Sequence, residues 1–285
     1  MRILSRILTT AAIALMGAVS VQAQAIKPEH PDMAKIKTES TNPKSKYYYP
    51  RLLKMFMSND TVMTTEDYKY FYYGTMFQED YNPYRPYAFS DELKRTQPLY
   101  FKQENLTRAE RSQIETLAKK SLEDNPLDLS QLMYRVYVYE KNQKFNLAKI
   151  WKHKLDRLLL TIANSGTGED QEHAWVVAYP SHEFEFFNIS GGSVKDREFM
   201  PPYYEKLTVL NKKGDKTSEH YFNLHHLLEQ YYMKHPEALP ADFLPQLSFG
   251  GMERTVCDYI AGMTDKYAVD KYSELFIPSG WNVRG

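Results

Sequence analysis

At Gly166 the spacing of apolar residues changes, and this limits the fold more than any other feature of the chain. Upstream, apolar side chains recur at helical spacing; downstream they alternate as in a strand. Helices followed by a small antiparallel sheet make an α+β fold, because the two kinds of element are segregated along the chain.

The upstream segments carry their own boundaries. Pro50 suits the first turn of a helix whose face is Leu52, Leu53 and Phe56. Thr64 with Asp67 three residues on predicts a capped start, followed by a stripe of Tyr68, Phe71, Tyr72 and Thr75. Asp80 to Pro98 holds Pro83, Pro86 and Pro98 and reads as an extended connection. Thr107 and Glu110 form a second capping box, ahead of Ile114, Leu117, Ala118 and Leu122. Asn125-Pro126 ends that helix. Leu129, Leu132, Met133, Val136 and Tyr137 mark the next, and Leu147, Ile150, Trp151, Leu155, Leu158, Leu159 and Ile162 the third. The short polar turns between them predict helical hairpins of the tetratricopeptide kind, without a regular repeat. Ala174 to Tyr179, Tyr203 to Leu210 and His220 to Leu224 read as strands, with a hairpin turn at Asn211 to Asp215. Helix resumes near His225 and, after Pro240 and Pro245, a last helix is predicted over Met252 to Phe276, with Gly262 as its weak point.

Residues 1–25 read as an address. Arg2 and Arg6 precede an apolar run, Ile7 to Val19, that is short for a bilayer span, and small residues allow cleavage after Ala23 or Ala25. An exported product, periplasmic or extracellular, is therefore expected. Residues 26–45 read as a flexible leader. With 36 basic and 36 acidic side chains the chain lacks the positive excess that nucleic acid demands. A single cysteine, Cys257, excludes an internal disulfide.

Two passages resemble known families. Ser58 to Thr61, Tyr68 to Gly74, Asn164 to Gly168 and Val176 to Phe187 (VVAYPSHEFEFF) resemble an exported bacterial family known only as a domain of unknown function, over about residues 46–224. Residues 225–285 are different. Glu253 to Ala268, with Tyr231 to Glu237 and Phe276 to Pro278, resemble the C-terminal segment of deoxynucleoside triphosphate triphosphohydrolases of the dGTPase type. That resemblance implies chemistry in a separate helical core, where His and Asp ligands, among them an adjacent His-Asp pair, hold a divalent metal. None of the 8 histidines here is followed by aspartate, so no catalytic residue carries over. The chain reads as an exported domain joined to the end of a cytoplasmic enzyme.

The candidate metal ligands are His173, His182 and Glu183, with Glu185 nearby. On a strand, Glu183 and Glu185 would face one side and His182 the other, so convergence would need a loop. His220, His225 and His226 flank a strand-to-helix transition, and adjacent histidines on a helix diverge by about 100°. Ser165-Gly166-Thr167-Gly168 lacks the lysine and the preceding strand of a phosphate loop, so it reads as a helix-ending turn. Cys257 lacks a nearby acid or histidine partner, and Ser181 lacks a nucleophile elbow. No cofactor is expected. The 23 tyrosines, dense at Tyr68, Tyr70, Tyr72, Tyr73, Tyr81, Tyr84 and Tyr87, suit either packing or a platform for a glycan or peptide. The expectation is an exported protein that binds a peptide, protein or glycan, or serves the envelope structurally. The alternative is a hydrolase related to the triphosphohydrolases.

Overall fold

The computed structural model describes residues 28–59, 62–86, 88–102, 106–239, 251–252 and 254–256. The address segment, Tyr87, Cys257, Gly262 and nearly all of the predicted final helix lie outside the described residues.

The first helix, α1 (Met33–Thr41), falls where a flexible leader was expected. Asp32 caps it by accepting from the Lys35 amide, and Met33, Ile36 and Ser40 are buried. Two apolar residues give almost no helical signal alone; the helix is held by what it packs on. That surface is α3 (Thr65–Gly74), which approaches closely because a side chain at Gly74 would stand 2.9 Å from Ser40 Cβ. Upstream of α1, the Glu29 amide donates to Asn164 O and His30 Nε2 to Ala174 O.

Helix α2 (Tyr49–Met57) begins with Pro50 in its first turn and buries Tyr49, Leu52 and Phe56. Helix α3 has the predicted capping box between Thr64 and Asp67. Between Asp80 and Pro98 the expected extended connection gives way to α4 (Ser90–Lys102), whose backbone runs through Pro98. Asp91 and Glu92 in its first turn suit the positive end of the helix dipole. Helix α5 (Arg108–Asp124) has the second capping box, Thr107 with Glu110, and buries Ile114, Leu117, Ala118 and Leu122. It packs on α6 (Leu129–Lys141), which in turn packs on α7 (Phe145–Ala163). The inner stripe of α7 starts at Ala148 and Trp151, one residue later than predicted; Phe145 and Leu147 are exposed.

Beyond α7 come β1 (Trp175–Val176), α8 (Ser181–Ser190), β2 (Ser193–Met200), β3 (Tyr204–Leu210), β4 (Thr217–Asn223) and α9 (His225–Lys234). The strand order is β1-β4-β3-β2. Strands β2, β3 and β4 form an antiparallel meander, with the predicted turn around Asn211, whose side chain accepts from the Gly214 amide. The sheet is mixed, because β1 joins β4 in parallel. The fold class is α+β, as expected. Leu227, Leu228, Tyr232 and Leu239, from the segment read as the start of the tail, belong to the same core as the helices and the sheet.

Gly74→Ala is expected to lower stability by about 1–3 kcal/mol, through overpacking against Ser40. Ser40→Gly in the same chain should restore part of the loss in a denaturant titration. An unchanged midpoint for Gly74→Ala would show that α1 does not pack this closely.

Candidate functional site

Of the residues singled out for chemistry, His182, Glu183 and Glu185 lie on α8, next to a buried strip of backbone. Of the strip predicted as a strand, Ala174 to Tyr179, only Trp175 and Val176 pair with a neighbour, β4. Four of its peptide groups are answered by side chains. Val176 N donates to Ser165 Oγ at 2.8 Å, and Val176 O accepts from the Tyr73 hydroxyl at 3.2 Å. Ala178 N donates to the Tyr72 oxygen at 3.2 Å, and Ala178 O accepts from the Tyr81 hydroxyl. Tyrosine hydroxyls thus take the place of a neighbouring strand. Tyr68, Tyr70, Tyr72, Tyr73 and Tyr81 are all buried, which makes this part of the cluster core and not platform.

Strand geometry would put Glu183 and Glu185 on one side and His182 on the other. The structure makes this stretch the helix α8. Gly191, at φ 91°, ends that helix, and its amide turns back to Asn188 O and Phe187 O. On a helix, successive side chains diverge by about 100°, so His182, Glu183 and Glu185 point to three different neighbours.

His182 is buried between α3 and the α5–α6 connection. Its Nε2 lies 3.0 Å from Leu127 O, which can only accept, so Nε2 carries the proton. Nδ1 therefore accepts from the Tyr72 hydroxyl at 2.7 Å. A directed chain results: Ala178 N–H to Tyr72 O–H to His182 to Leu127 O. Both ring nitrogens are occupied, and burial pushes the imidazole down to about 3, keeping it neutral.

Glu183 is buried with both carboxyl oxygens shielded, and it faces Glu205 of β3, which Arg197 Nε holds at 2.7 Å. Burial, and next the neighbouring Glu205, raise the Glu183 carboxyl well above the usual range. Glu185 accepts from Ser130 Oγ at 2.6 Å, and burial followed by the charge of Asp128 raises it too. Asp128 itself caps α6 by accepting from the Gln131 amide.

His173 does not join these groups. It sits exposed on the loop after α7 and pairs with Asp170 at 2.8 Å, which raises the imidazole. His173, His182 and Glu183 therefore do not form a common site; among the described residues no group of three or more His, Cys, Asp or Glu could hold a metal ion. His225 packs on Tyr203 with ring centres 4.7 Å apart, and His226 Nδ1 lies 3.4 Å from Glu229. His220 stacks on Trp175. The glycine-rich turn is closed: the Thr167 and Gly168 amides both donate to His173 O, so neither faces an anion. A side chain at Gly166 would lie 2.3 Å from that same carbonyl oxygen.

Lys154 was not singled out, although a lysine inside the apolar stripe of α7 is a signal. It is 2% exposed, and its ammonium donates to Phe56 O and, at 2.7 Å, to Asn59 Oδ1, closing the end of α2. Burial, with Arg135 nearby, lowers it to about 7. It lies 3.8 Å from the centre of the Trp151 ring, and Arg135 lies 3.9 Å from that ring.

The family described as Domain of unknown function (DUF4919) matches residues 34–233. The chain belongs to that family. A Phosphohydrolase-associated domain matches residues 211–274, overlapping the end of the first match. A deoxyguanosinetriphosphate triphosphohydrolase-like protein of Caldanaerobacter subterraneus subsp. tengcongensis is 38% identical over 78 residues, 27% of this chain and 23% of that protein. A protein of the same description from Geobacter metallireducens is 49% identical over 51 residues, 18% and 13% of the two chains. The chain thus spans less than a quarter of the length of either relative. No solved structure matches it.

Tyr72→Phe should cost about 1–3 kcal/mol, because the Ala178 amide and His182 Nδ1 both lose their partner inside the core. Equal denaturant midpoints for this variant and the parent would contradict the chain of bonds. The folded imidazole of His182 titrates near 3 and the unfolded one near 6.5, so its contribution is complete above pH 6.5 and lost as pH falls toward 3. The stability difference between the parent and His182→Gln should therefore shrink below pH 6.5, by up to about 1.4 kcal/mol per pH unit. A pH-independent difference would show that His182 is not held neutral.

Proposed function

We propose that this chain is an exported, non-catalytic domain that binds a peptide, protein or glycan in the cell envelope, or serves there structurally. The observation that carries this reading is the engagement of His182. Both of its ring nitrogens hold the core together, which leaves neither nitrogen of that ring for a substrate or an ion. Tyr72, Tyr73 and Tyr81 are engaged in the same way. Export is supported by Arg2, Arg6 and the apolar run before Ala23 and Ala25. Terminal sequencing of the protein from a periplasmic or culture fraction should begin at Gln24 or Ile26. Retention of Met1 on protein found only in the cytoplasmic fraction would contradict export.

The likeness of residues 211–274 to a phosphohydrolase-associated domain favours a second reading, a hydrolase acting on deoxyguanosine triphosphate or a related nucleotide. Metal-assisted hydrolysis needs several ligands around one cation and its water, and no histidine of this chain precedes an aspartate. The purified full chain, given dGTP with manganese or magnesium, is expected to release no triphosphate above the rate without protein. Metal-dependent release would establish the hydrolase reading in place of the binding one.

A further inference from the structure

Glu205 occupies a position where a strand of this pattern calls for an apolar residue. On β3 the side chains of Glu205, Leu207 and Val209 alternate inward, and Glu205 is fully buried beside them. Arg197 pairs across the sheet with Leu207, which puts its guanidinium on the same face, diagonal to Glu205, at 2.7 Å. Above this pair sits Glu183 of α8. Both of its oxygens are shielded from solvent, and no N–H or O–H of the described residues donates to them. What they face is the carboxyl group of Glu205.

Counting charges settles the state of the three groups. Two carboxylates shut off from water, against one guanidinium at the edge of the core, leave one negative charge uncompensated in a dry interior. One proton removes that charge and supplies the missing donor, since a protonated carboxyl donates to an ionised one. Arg197 already holds Glu205, so Glu205 is the ionised partner and Glu183 the acid. The other titratable groups nearby face elsewhere: on α8, His182 toward Tyr72 and Leu127 and Glu185 toward Ser130 and Asp128; on β4, His220 toward Trp175 and Phe187.

We propose that Glu183 and Glu205 share one proton above Arg197, and that this proton fastens α8 to the sheet, so that alkaline pH loosens the helix. The folded protein then holds a proton that the unfolded chain gives up above the ordinary carboxylate range. Stability carried by this proton is present at acid and neutral pH and is lost as pH rises through the folded value. Phe186 and Phe187, packed on Trp175 and Phe222 from α8, are the surface that loosening would uncover.

The test compares the full chain with Glu183→Gln, whose amide can donate to Glu205 without a shared proton. At neutral pH the infrared difference spectrum, parent minus variant, should contain the C=O stretch of one protonated carboxyl group. The folding equilibrium constant of the parent should fall, relative to that variant, by up to about tenfold per pH unit on the alkaline side. Glu205→Gln is the second variant, and it should lose the same band, because Glu183 then ionises against Arg197. A difference spectrum holding only ionised carboxylate bands, or parallel pH profiles for parent and Glu183→Gln, would overturn the proposal. If Glu183→Gln does not fold, a difference spectrum of parent minus Glu205→Gln that lacks the protonated band would overturn it equally.

Discussion

The fold depends on a buried stretch of backbone that has no strand beside it for most of its length. Residues 174–179 pass through the core between the helices and the sheet, yet only Trp175 and Val176 pair with β4. A buried peptide group without a partner costs about as much as a lost hydrogen bond, so the stretch is tenable only because side chains supply the bonds. Ser165, Tyr72, Tyr73 and Tyr81 do so from α3, the segment after it and the turn after α7, and His30 does so at Ala174. This accounts for three of the tyrosines between residues 68 and 81: Tyr72, Tyr73 and Tyr81 fill core volume while their hydroxyls bond the backbone of the strip.

The same arrangement accounts for the residues that look chemical. His182 extends the Tyr72 bond to the Leu127 carbonyl, which ties α8 and α3 to the start of α6. Glu183 and Glu185 fasten the same helix to the sheet and to α6. Lys154 plays a comparable part for α2. A polar core of this kind is demanding, because a member that loses its partner is left uncompensated in a dry interior.

What the sequence revealed was local. Thr64 with Asp67 and Thr107 with Glu110 mark helix starts because both partners of a capping box lie within one turn. Helix α1 stayed hidden because Met33 and Ile36 are too few to show a period, and its stability comes from contact with α3. Helix α4 was obscured by Pro98, and α8 by the alternation of glutamate and phenylalanine, which imitates a strand until packing decides otherwise. Of the site, His182 and Glu183 were noticed as residue types, but not their partners. Tyr72 lies 110 positions from His182, and no local pattern connects them. Glu205 did leave a trace, as the one acid in the inward register of Tyr204 to Leu210.

The claim at the centre is that the 176–178 strip belongs to the most stable part of the molecule because side chains complete its hydrogen bonds. Amide hydrogen exchange resolved to single residues tests it directly. The account predicts that the Val176 and Ala178 amides exchange only through global unfolding, with protection equal to the total stability of the domain. Exchange of either amide through local opening, far faster than that of the Leu158 and Leu159 amides in α7, would contradict it.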